Sequence, residues 1–595
     1  MMTFESIKTI RDLVTEAGKA YENRVYLRTL RNNMIHDTTF GQFSLECNAI
    51  AAWTAEQSKN LGHQARVAMI SSNSALYVRM MLGVMVGGGT TVFLDPQATE
   101  DVICACLNKA EADILIWEPK LALDVDQIRA RCKAITQTIH MAEDDLPEAC
   151  GGILSAYRGQ HPDNIVDEKD CAAIIFTSGT TGEEKGVMLS NANLIDTTFN
   201  GKFDVSIKVS ILPMHHAFSL KADFLTPLGV GSTTCFHNGM DKLVEALQIF
   251  EPTCLTMVPM IANALYNKVF VLSQQTGKTM EECKPLVFGR RINQIATGGA
   301  HLPSELVDKY QNIGILIGQG YGMSECSPSI SIPCWGRPDK AHSSGKLVRG
   351  CEVRIVDGEI QVKSPSVMMG YVNAPELTAQ IITQDGWLRT GDVGYVDDER
   401  FIYITGRIKN LIILSNGENV APEQIENLLL DHQLVEECLV YGDDHLIAAE
   451  IYPNSKYMAL QGISDAQSAV EEVIQKVNAT LPSYKRIAKH LVRTVPFKKT
   501  GSNKIIRSQR ASRHMILNPE VNSRRIPENE TQQMIFDCVA QILGHQDFGV
   551  DTDIFAAGLD SLGCIMLLSA FSEDLKFTLE LDEFMAIPTV EKLAK

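Results

Sequence analysis

The sequence predicts an α/β protein in three parts: a large N-terminal domain with largely parallel sheets, a small α+β lobe, and a helical bundle. Three observations carry this reading. The chain of 595 residues is far longer than one hydrophobic core supports. From about Ser6 to Arg400, short apolar runs alternate with helix-period segments. Past Thr531 the pattern becomes purely helical.

In the first region, Val67-Ala-Met-Ile70 and Ala172-Ala-Ile-Ile-Phe176 read as buried strands, and Pro303-Ser-Glu-Leu-Val-Asp-Lys-Tyr310 as a helix. The most apolar stretch, Ala75 to Leu94, carries Arg79 and a Gly87-Gly88-Gly89 break. It therefore suits a buried helix, a loop and a strand rather than a membrane span. After Thr405-Gly406-Arg407-Ile408-Lys409-Asn410, the run from Asn419 to Leu430 is an apolar-periodic helix with Pro422 at its start. Cys438-Leu-Val-Tyr441 then reads as a strand, so this region is a small α+β lobe. Between Arg507 and Glu530 the chain is polar and patternless, as a linker is. Beyond it, Met534-Ile535, Cys538-Val539 and Ile542-Leu543 keep helical spacing, with further runs at Cys564 to Leu568 and from Val590. A small bundle is the natural result.

Composition narrows the partners. Hydrophobic residues make up 45% and charged residues 21%, the balance of an ordinary globular protein. The fifteen cysteines show no CxxC pairs or Cys/His clusters, and the amino terminus lacks a signal-peptide pattern, so a reduced, cytoplasmic setting is expected. The net charge of −18 argues against nucleic acid as a partner. From Asn529 onward there are 12 Asp or Glu against three Lys and no Arg, a balance of −9, so half the net charge sits in the last ninth of the chain. That segment is a separate acidic module.

Two strings carry chemistry. Thr177-Ser178-Gly179-Thr180-Thr181-Gly182-Glu183-Glu184-Lys185-Gly186 offers four hydroxyls, three glycines and a lysine directly after a strand. Glycines let backbone N–H groups approach an oxyanion, and hydroxyls and an ammonium add donors that can follow a departing pyrophosphate, which suits ATP. It is not a P-loop, because Glu184 and Gly186 flank Lys185 where Gly and Ser or Thr would be needed. The second string, Phe555-Ala-Ala-Gly-Leu-Asp560-Ser561-Leu562, places Asp560 before a helix whose amino end carries Ser561. It resembles the attachment site of phosphopantetheine in acyl and peptidyl carrier proteins, modified by a phosphopantetheinyl transferase.

Further motifs follow in order: Gly298-Gly299-Ala300, Gln319-Gly-Tyr321-Gly-Met-Ser324-Glu325, Trp387-Leu-Arg-Thr-Gly-Asp392, Gly406-Arg407-Ile-Lys409, and Lys499-Thr-Gly-Ser-Asn-Lys504. Together with the phosphate loop they resemble the adenylate-forming superfamily of acyl-CoA synthetases, luciferases and peptide-synthetase adenylation domains, over roughly residues 10 to 510. The resemblance implies an adenylation domain with its large part at 1–408 and a mobile lobe at 409–512, then a linker at 513–528 and a carrier domain at 529–595. Met515 leaves open whether the carrier is a joined segment.

The same resemblance implies the site. Tyr321 would stack on adenine, with Gly299 and Ala300 lining the base and Ser324 in the same loop. Asp392 would accept from the ribose hydroxyls, and Arg407 would add a positive contact. Thr177, Ser178, Gly179, Thr180, Thr181 and Lys185 would handle the phosphates. Glu325 would hold Mg²⁺ as a carboxylate oxygen attacks the α-phosphorus. Lys504 would stabilise charge that builds in the transition state. Asn503 precedes it where the family usually has Gly, a position Asn can fill because it tolerates left-handed backbone angles. Lys409 would be the hinge about which the lobe swings, bringing a loop near Gly417 to the thiol's path.

His216, Ala217 and Gly298 mark the substrate pocket. Peptide-synthetase domains for α-amino acids generally place an Asp where Ala217 stands, and an α-ammonium buried beside Ala217 would lack its partner. The substrate expected is a carboxylic acid without an α-amino group. An aryl acid such as an aminobenzoate or hydroxyanthranilate is favoured, passed as a thioester to the carrier and on to a peptide-synthetase condensation module. The alternative is a medium- or long-chain fatty acyl-AMP or acyl-CoA ligase, since Tyr321 to Pro328 also resembles those enzymes. His215-His216 does not extend into a condensation motif, because Leu220-Lys221 replaces its Asp-Gly.

Overall fold

The computed structural model describes the chain except for residues 1–5, 32–33, 179–183, 202–203, 238, 414–418, 444–445, 482–484, 500–504, 508–525, 544–548, 551–553, 555–566, 569–570, 572–583, 585–588 and 595. Contacts divide it into two units, Met1–Thr405 and Gly406–Lys595.

The first unit is built on a seven-stranded sheet. Its order is Gly370–Tyr371, Glu184–Ser190, Cys171–Ser178, Thr90–Phe93, Arg66–Ile70, Ile114–Trp117 and Gln137–His140. The last five run parallel, and the first two are antiparallel additions at one edge. Parallel strands covered on both faces need continuous apolar runs, and Thr90–Phe93 is buried at every position. The helix Ala75–Val86 is buried at every residue but Arg79. A Cβ on its Gly83 would come within 2.6 Å of Ile50, so glycine lets this helix lie close against Phe40–Leu61. The predicted helix, glycine break and strand thus form as expected.

A second layer holds a four-stranded sheet, Met34–Thr39, Val25–Arg31, Thr233–Phe236 and Ile207–Val209. A three-stranded parallel sheet comprises Cys254–Met257, Gln294–Thr297 and Leu316–Gln319, with Leu255, Ile295 and Ile317 in its core. Between Ile207–Val209 and Thr233–Phe236 runs an unusual helix: an α-turn at Ala217–Ser219, a π-helical stretch at Leu220–Leu225 and an α-segment at Thr226–Val230. A π-turn breaks the normal ladder. Here three successive carbonyls accept from side chains of the four-stranded sheet: Ala222 from Lys208 Nζ (2.8 Å), Asp223 from Thr234 Oγ1 (2.6 Å) and Phe224 from Tyr26 Oη (3.0 Å).

In the second unit, Val435–Asp443, Leu446–Pro453 and Ile487–Val492 form a sheet packed by Pro422–Leu430 and Ala466–Thr480, with Ile425, Leu429, Val440, Ile451 and Val470 at its centre. This is the predicted α+β lobe, with Pro422 opening its helix. Farther on, Glu530–Leu543 and Val590–Leu593 are helical. Ile535, Val539, Leu567, Phe571, Phe584 and Val590 share one apolar cluster. The predicted linker lies largely outside the described residues.

Candidate active site

The motif loops gather where parallel strands end. Gly298-Gly299-Ala300 follows the strand Gln294–Thr297, and Gly320-Tyr321 follows its parallel neighbour Leu316–Gln319. Ligands of open α/β sheets bind at such carboxyl ends. The two turns are stitched together. Gly320 N–H donates to Thr297 O (2.8 Å), and Leu302 N–H donates to Gln319 Oε1 (2.8 Å). Gly299 sits at φ +78°, which its lack of a Cβ makes inexpensive.

Tyr321 Oη donates to Asp392 Oδ2 at 2.5 Å, across 71 residues of chain. Asp392 is buried, and its own N–H donates to Thr390 Oγ1 (3.1 Å). Burial, with the Asp392 carboxylate beside it, raises the Tyr321 phenol well above its ordinary value. The loop bearing Tyr321 is closed by Ile330 N–H and Ser331 N–H, which both donate to Tyr321 O (3.0 and 2.9 Å).

On the phosphate side, Thr177 lies directly opposite Lys185 in the antiparallel pairing of Cys171–Ser178 with Glu184–Ser190. The Lys185 ammonium stands 5.4 Å from the centre of the Tyr371 ring. Tyr371 Oη in turn donates to Glu325 Oε1 (2.7 Å). Glu325 is 8% exposed, in the short 3₁₀ turn Ser324–Cys326, and its carbonyl accepts from Met368 N–H (2.9 Å). On this unit the structure thus pairs Tyr321 with Asp392 and Tyr371 with Glu325 by hydrogen bonds, sets the Lys185 ammonium against the Tyr371 ring, and places Thr177 across the strands from Lys185. Tyr371 is an addition that the sequence reading missed. Its strand is two residues long, so only the pairing of Tyr371 with Val187 reveals that it stands between Lys185 and Glu325.

No group of three or more His, Cys, Asp or Glu side chains able to hold a metal occurs among the described residues. Magnesium keeps waters and phosphate oxygens and takes only one or two protein carboxylates. Glu325, a buried carboxylate with one oxygen fixed by Tyr371, fits that role.

Of the residues expected at the acid, His216 and Ala217 fall at the start of the π-turn helix. His215 and His216 lie with ring centres 4.2 Å apart, and His215 Nε2 is 3.8 Å from Asp95 Oδ1. Burial pushes His215 down to about 4, helped by His216 and opposed by Asp95. Asn73 fixes the segment from both sides: its Nδ2 donates to Leu212 O (2.7 Å), and its Oδ1 accepts from Met214 N–H (3.1 Å). Ala217 is buried at 4% exposure. A Cβ on Gly298 would meet the Phe218 ring at 3.2 Å and Gly320 O at 3.5 Å, so Gly298, Phe218 and the Tyr321 loop share one wall.

In the second unit, Arg407 ends the strand Ile402–Arg407, and Lys409 lies in the 3₁₀ turn Ile408–Asn410. Lys499, five residues before Lys504, pairs with buried Glu437 at 2.6 Å, and Glu437 also accepts from Phe497 N–H (2.7 Å). Gly179, Thr180, Thr181, Lys504 and Ser561, with the loop near Gly417, lie outside the described residues, and Ser178 is described only as the end of its strand.

Comparison with known proteins matches three successive parts of the chain. Residues 14–372 match the AMP-binding enzyme family, 409–515 its C-terminal domain, and 534–595 the phosphopantetheine attachment site. Curated relatives include 4-coumarate–CoA ligase 2 of Oryza sativa subsp. japonica, 28% identical over 79% of this chain and 86% of that one. Another is 4-coumarate–CoA ligase 3 of Arabidopsis thaliana, 26% identical over 85% and 89%. Among solved structures, the anthranilate CoA ligase AuaEII with anthranoyl-AMP superposes with a TM-score of 0.72 at 20% identity, covering 87% of this chain and 99% of that one. The A-PCP didomain of the carboxylic acid reductase of Segniliparus rugosus with AMP gives 0.70 at 19%, covering 98% and 94%. At these identities the structural likeness is one of fold. With the AMP-binding domain matched over more than half its length, and the C-terminal domain and attachment site in order behind it, this chain belongs to the AMP-binding enzyme family, as an adenylate-forming acid–thiol ligase using ATP, Mg²⁺ and 4'-phosphopantetheine.

Proposed function

We propose that the enzyme activates an aryl carboxylic acid without an α-amino group, of the aminobenzoate or hydroxyanthranilate kind, and loads it onto the carrier at Ser561 for a peptide-synthetase condensation module. The observation that carries this reading is the neutral wall of Ala217, Phe218 and Gly298 beside the Tyr321 loop. An α-ammonium there would be desolvated beside an alanine, at a cost of several kcal/mol. A flat ring matches an apolar wall in which the Phe218 ring lies close to Gly298, and several relatives and fold neighbours are named for aryl or arylpropenoic acids.

The residues divide the work as follows. Tyr321, Gly299 and Ala300 bind the adenine, Asp392 and Arg407 the ribose end, and Thr177 to Thr181 with Lys185 the phosphates. Glu325 would hold magnesium, which would supply positive charge against the triphosphate. Tyr371 keeps the Glu325 carboxylate oriented through its hydrogen bond. The acid's carboxylate oxygen attacks the α-phosphorus as the bond to pyrophosphate breaks, and Lys504 stabilises the charge that builds there. In the second step a thiol sulfur attacks the acyl carbonyl and AMP departs. Ser561 would hold the phosphopantetheine arm, which would supply that thiol, and Lys409 would let the lobe exchange Lys504 for the thiol's path. A cytoplasmic setting suits such chemistry; among the described residues, no helix is long and apolar enough to cross a membrane.

Acid-dependent ATP–pyrophosphate exchange, together with intact-protein mass spectrometry of the phosphopantetheinylated chain, tests the reading. An aryl acyl mass that depends on ATP and is lost in Ser561→Ala supports it; no acyl mass with any aryl acid overturns it. The names of the curated relatives favour a second reading, transfer to free CoA. Acyl-CoA formation by Ser561→Ala would establish that one.

A further inference from the structure

Two helices of the large unit meet along a seam that is far more polar than their burial warrants. One is Asn191–Phe199 with Asn200 at its end; the other is the π-turn helix behind Ala217. Lys221, one helical turn beyond Ala217, is 4% exposed. Its Nζ donates to Asn200 Oδ1 (3.2 Å) and to Ser329 Oγ (2.6 Å), the latter on the loop that carries Tyr321 and Glu325. Asn200 thus turns its oxygen toward Lys221 and its Nδ2 away.

That Nδ2 has no hydrogen-bond partner although Asn200 is 3% exposed. Asp196, one turn earlier on the same helix, likewise has a buried Oδ2 without a hydrogen-bond partner. Thr197 and Thr226, at 0% and 4% exposure, each have an unpartnered hydroxyl. Buried polar atoms are normally satisfied, and each exception calls for a cause. Burial raises Asp196, against the pull of Arg349 and Lys221, and pushes Lys221 down to about 7. The seam holds an unused donor and an unused acceptor four residues apart, next to the segment that lines the acid's place.

Resting on the function proposed above, we infer that this seam is the specificity subsite of the acid pocket and takes a protic substituent of the substrate: a ring hydroxyl that accepts from Asn200 Nδ2 and donates to Asp196 Oδ2. Lys221 is the positioning residue that holds the Asn200 amide in the reading orientation. The preferred substrate class is therefore hydroxylated aryl acids, over unsubstituted or alkyl-ether ones. A site built to bond a hydroxyl discriminates strongly against an analogue that leaves its buried polar atoms unpaired.

The test is acid-dependent pyrophosphate exchange by the full chain on the hydroxybenzoate isomers, their methyl ethers and benzoate. A methyl ether can accept but cannot donate, so it satisfies only Asn200. The wild type is expected to favour at least one hydroxybenzoate over its ether and over benzoate by ~10-fold or more in kcat/KM. Asn200→Leu and, independently, Asp196→Ala should each bring that ratio to within about threefold. A purely structural role would lower all acids together and leave the ratio standing, which overturns the inference, as does a wild-type ratio near one; the seam then holds ordered water only. If a variant fails to fold, the wild-type ratios still decide. Absence of exchange with every one of these acids would instead overturn the aryl-acid reading on which the inference rests.

Discussion

The residues proposed for the nucleotide and those proposed for the acid, two sides of the large unit, treat buried polar groups in opposite ways. At Tyr321–Asp392 and Lys185–Tyr371–Glu325 each named group already answers another, with hydrogen bonds of 2.5 and 2.7 Å. Along the seam of Asp196, Thr197, Asn200 and Thr226, buried atoms stand without such partners. A ligand that never changes rewards a site wired in advance, because nothing has to reorganise when it arrives. A ligand that varies between enzymes is read by groups that only the right substituent completes. The difference predicts two kinds of mutational behaviour: nucleotide-side changes should scale every acid alike, and acid-side changes should reorder them.

The largest effect tests the first half. Lys504→Ala is expected to lower acid-dependent pyrophosphate exchange by ~10²–10³, by the same factor for each acid. Glu325→Gln should follow at ~10², with activity less responsive to added Mg²⁺ because the carboxylate charge is gone. If either variant spares one acid and not another in steady-state exchange, the division between the two sides breaks.

Gly298→Ala sharpens the second half. Its new Cβ would stand 3.2 Å from the Phe218 ring, so the wall must give or the pocket must narrow. KM for aryl acids should rise by ~10-fold while short alkanoates change little, since a misfit of one methyl in a packed site is worth roughly 1–3 kcal/mol. Equal effects on both classes would show that Gly298 does not border the acid. Smaller still, Tyr371→Phe removes one hydrogen bond to Glu325, for a uniform loss of about 2–10-fold in kcat. Titrating exchange against Mg²⁺ should show a raised requirement that a merely structural tyrosine would not produce.

How far the sequence foretold these regions follows from where their contacts lie. The strands, the buried helix Ala75–Val86, the Pro422 helix and the motif loops were legible because each is written in adjacent residues as an apolar run, a period or a turn. Glu325 and Asp392 stood out through the company of their motifs. Tyr371 did not, because its role depends on a two-residue strand docking beside Val187. Nor did the seam: Asn200, Lys221 and Ser329 are separated by 21 and 108 residues, and Lys221 had served only to exclude a condensation motif. The π-turn that sets Lys221 within the helix is held by Tyr26, Lys208 and Thr234, which no local pattern connects to it. Charge buried by tertiary packing leaves no periodic trace.

The smallest effect bears on stability rather than rate, and it separates the two sides by pH. Of the groups proposed for the nucleotide, Tyr321 and Tyr371 are pushed upward by burial, away from neutral pH, while Glu184 beside Lys185 is raised by burial and by Asp95. On the π-turn, burial pushes the Asp223 carboxyl up to about 7, against Lys208 and the hydrogen bond from Ser219 Oγ (3.1 Å). In the unfolded chain this group titrates near 3.8. Between those values the folded state keeps a proton that the unfolded state has released, so the Asp223 contribution to stability falls as pH climbs from about 4 to about 7. Lys221, pushed down from 10.5 to about 7, runs the other way: the unfolded chain binds the extra proton above 7, and stability rises with pH there. Glu426 in the lobe is also pushed up to about 7 by burial and titrates in the same window. The informative quantity is therefore the difference between the wild type and Asp223→Asn, in which Glu426 cancels. The Tm of the wild type relative to that variant should be about 2–4 °C more favourable at pH 5 than at pH 7.5 by calorimetry. A difference that does not move with pH would mean that Asp223 is ionised in the folded protein, so that the π-turn, like the nucleotide side, carries its charge already paired.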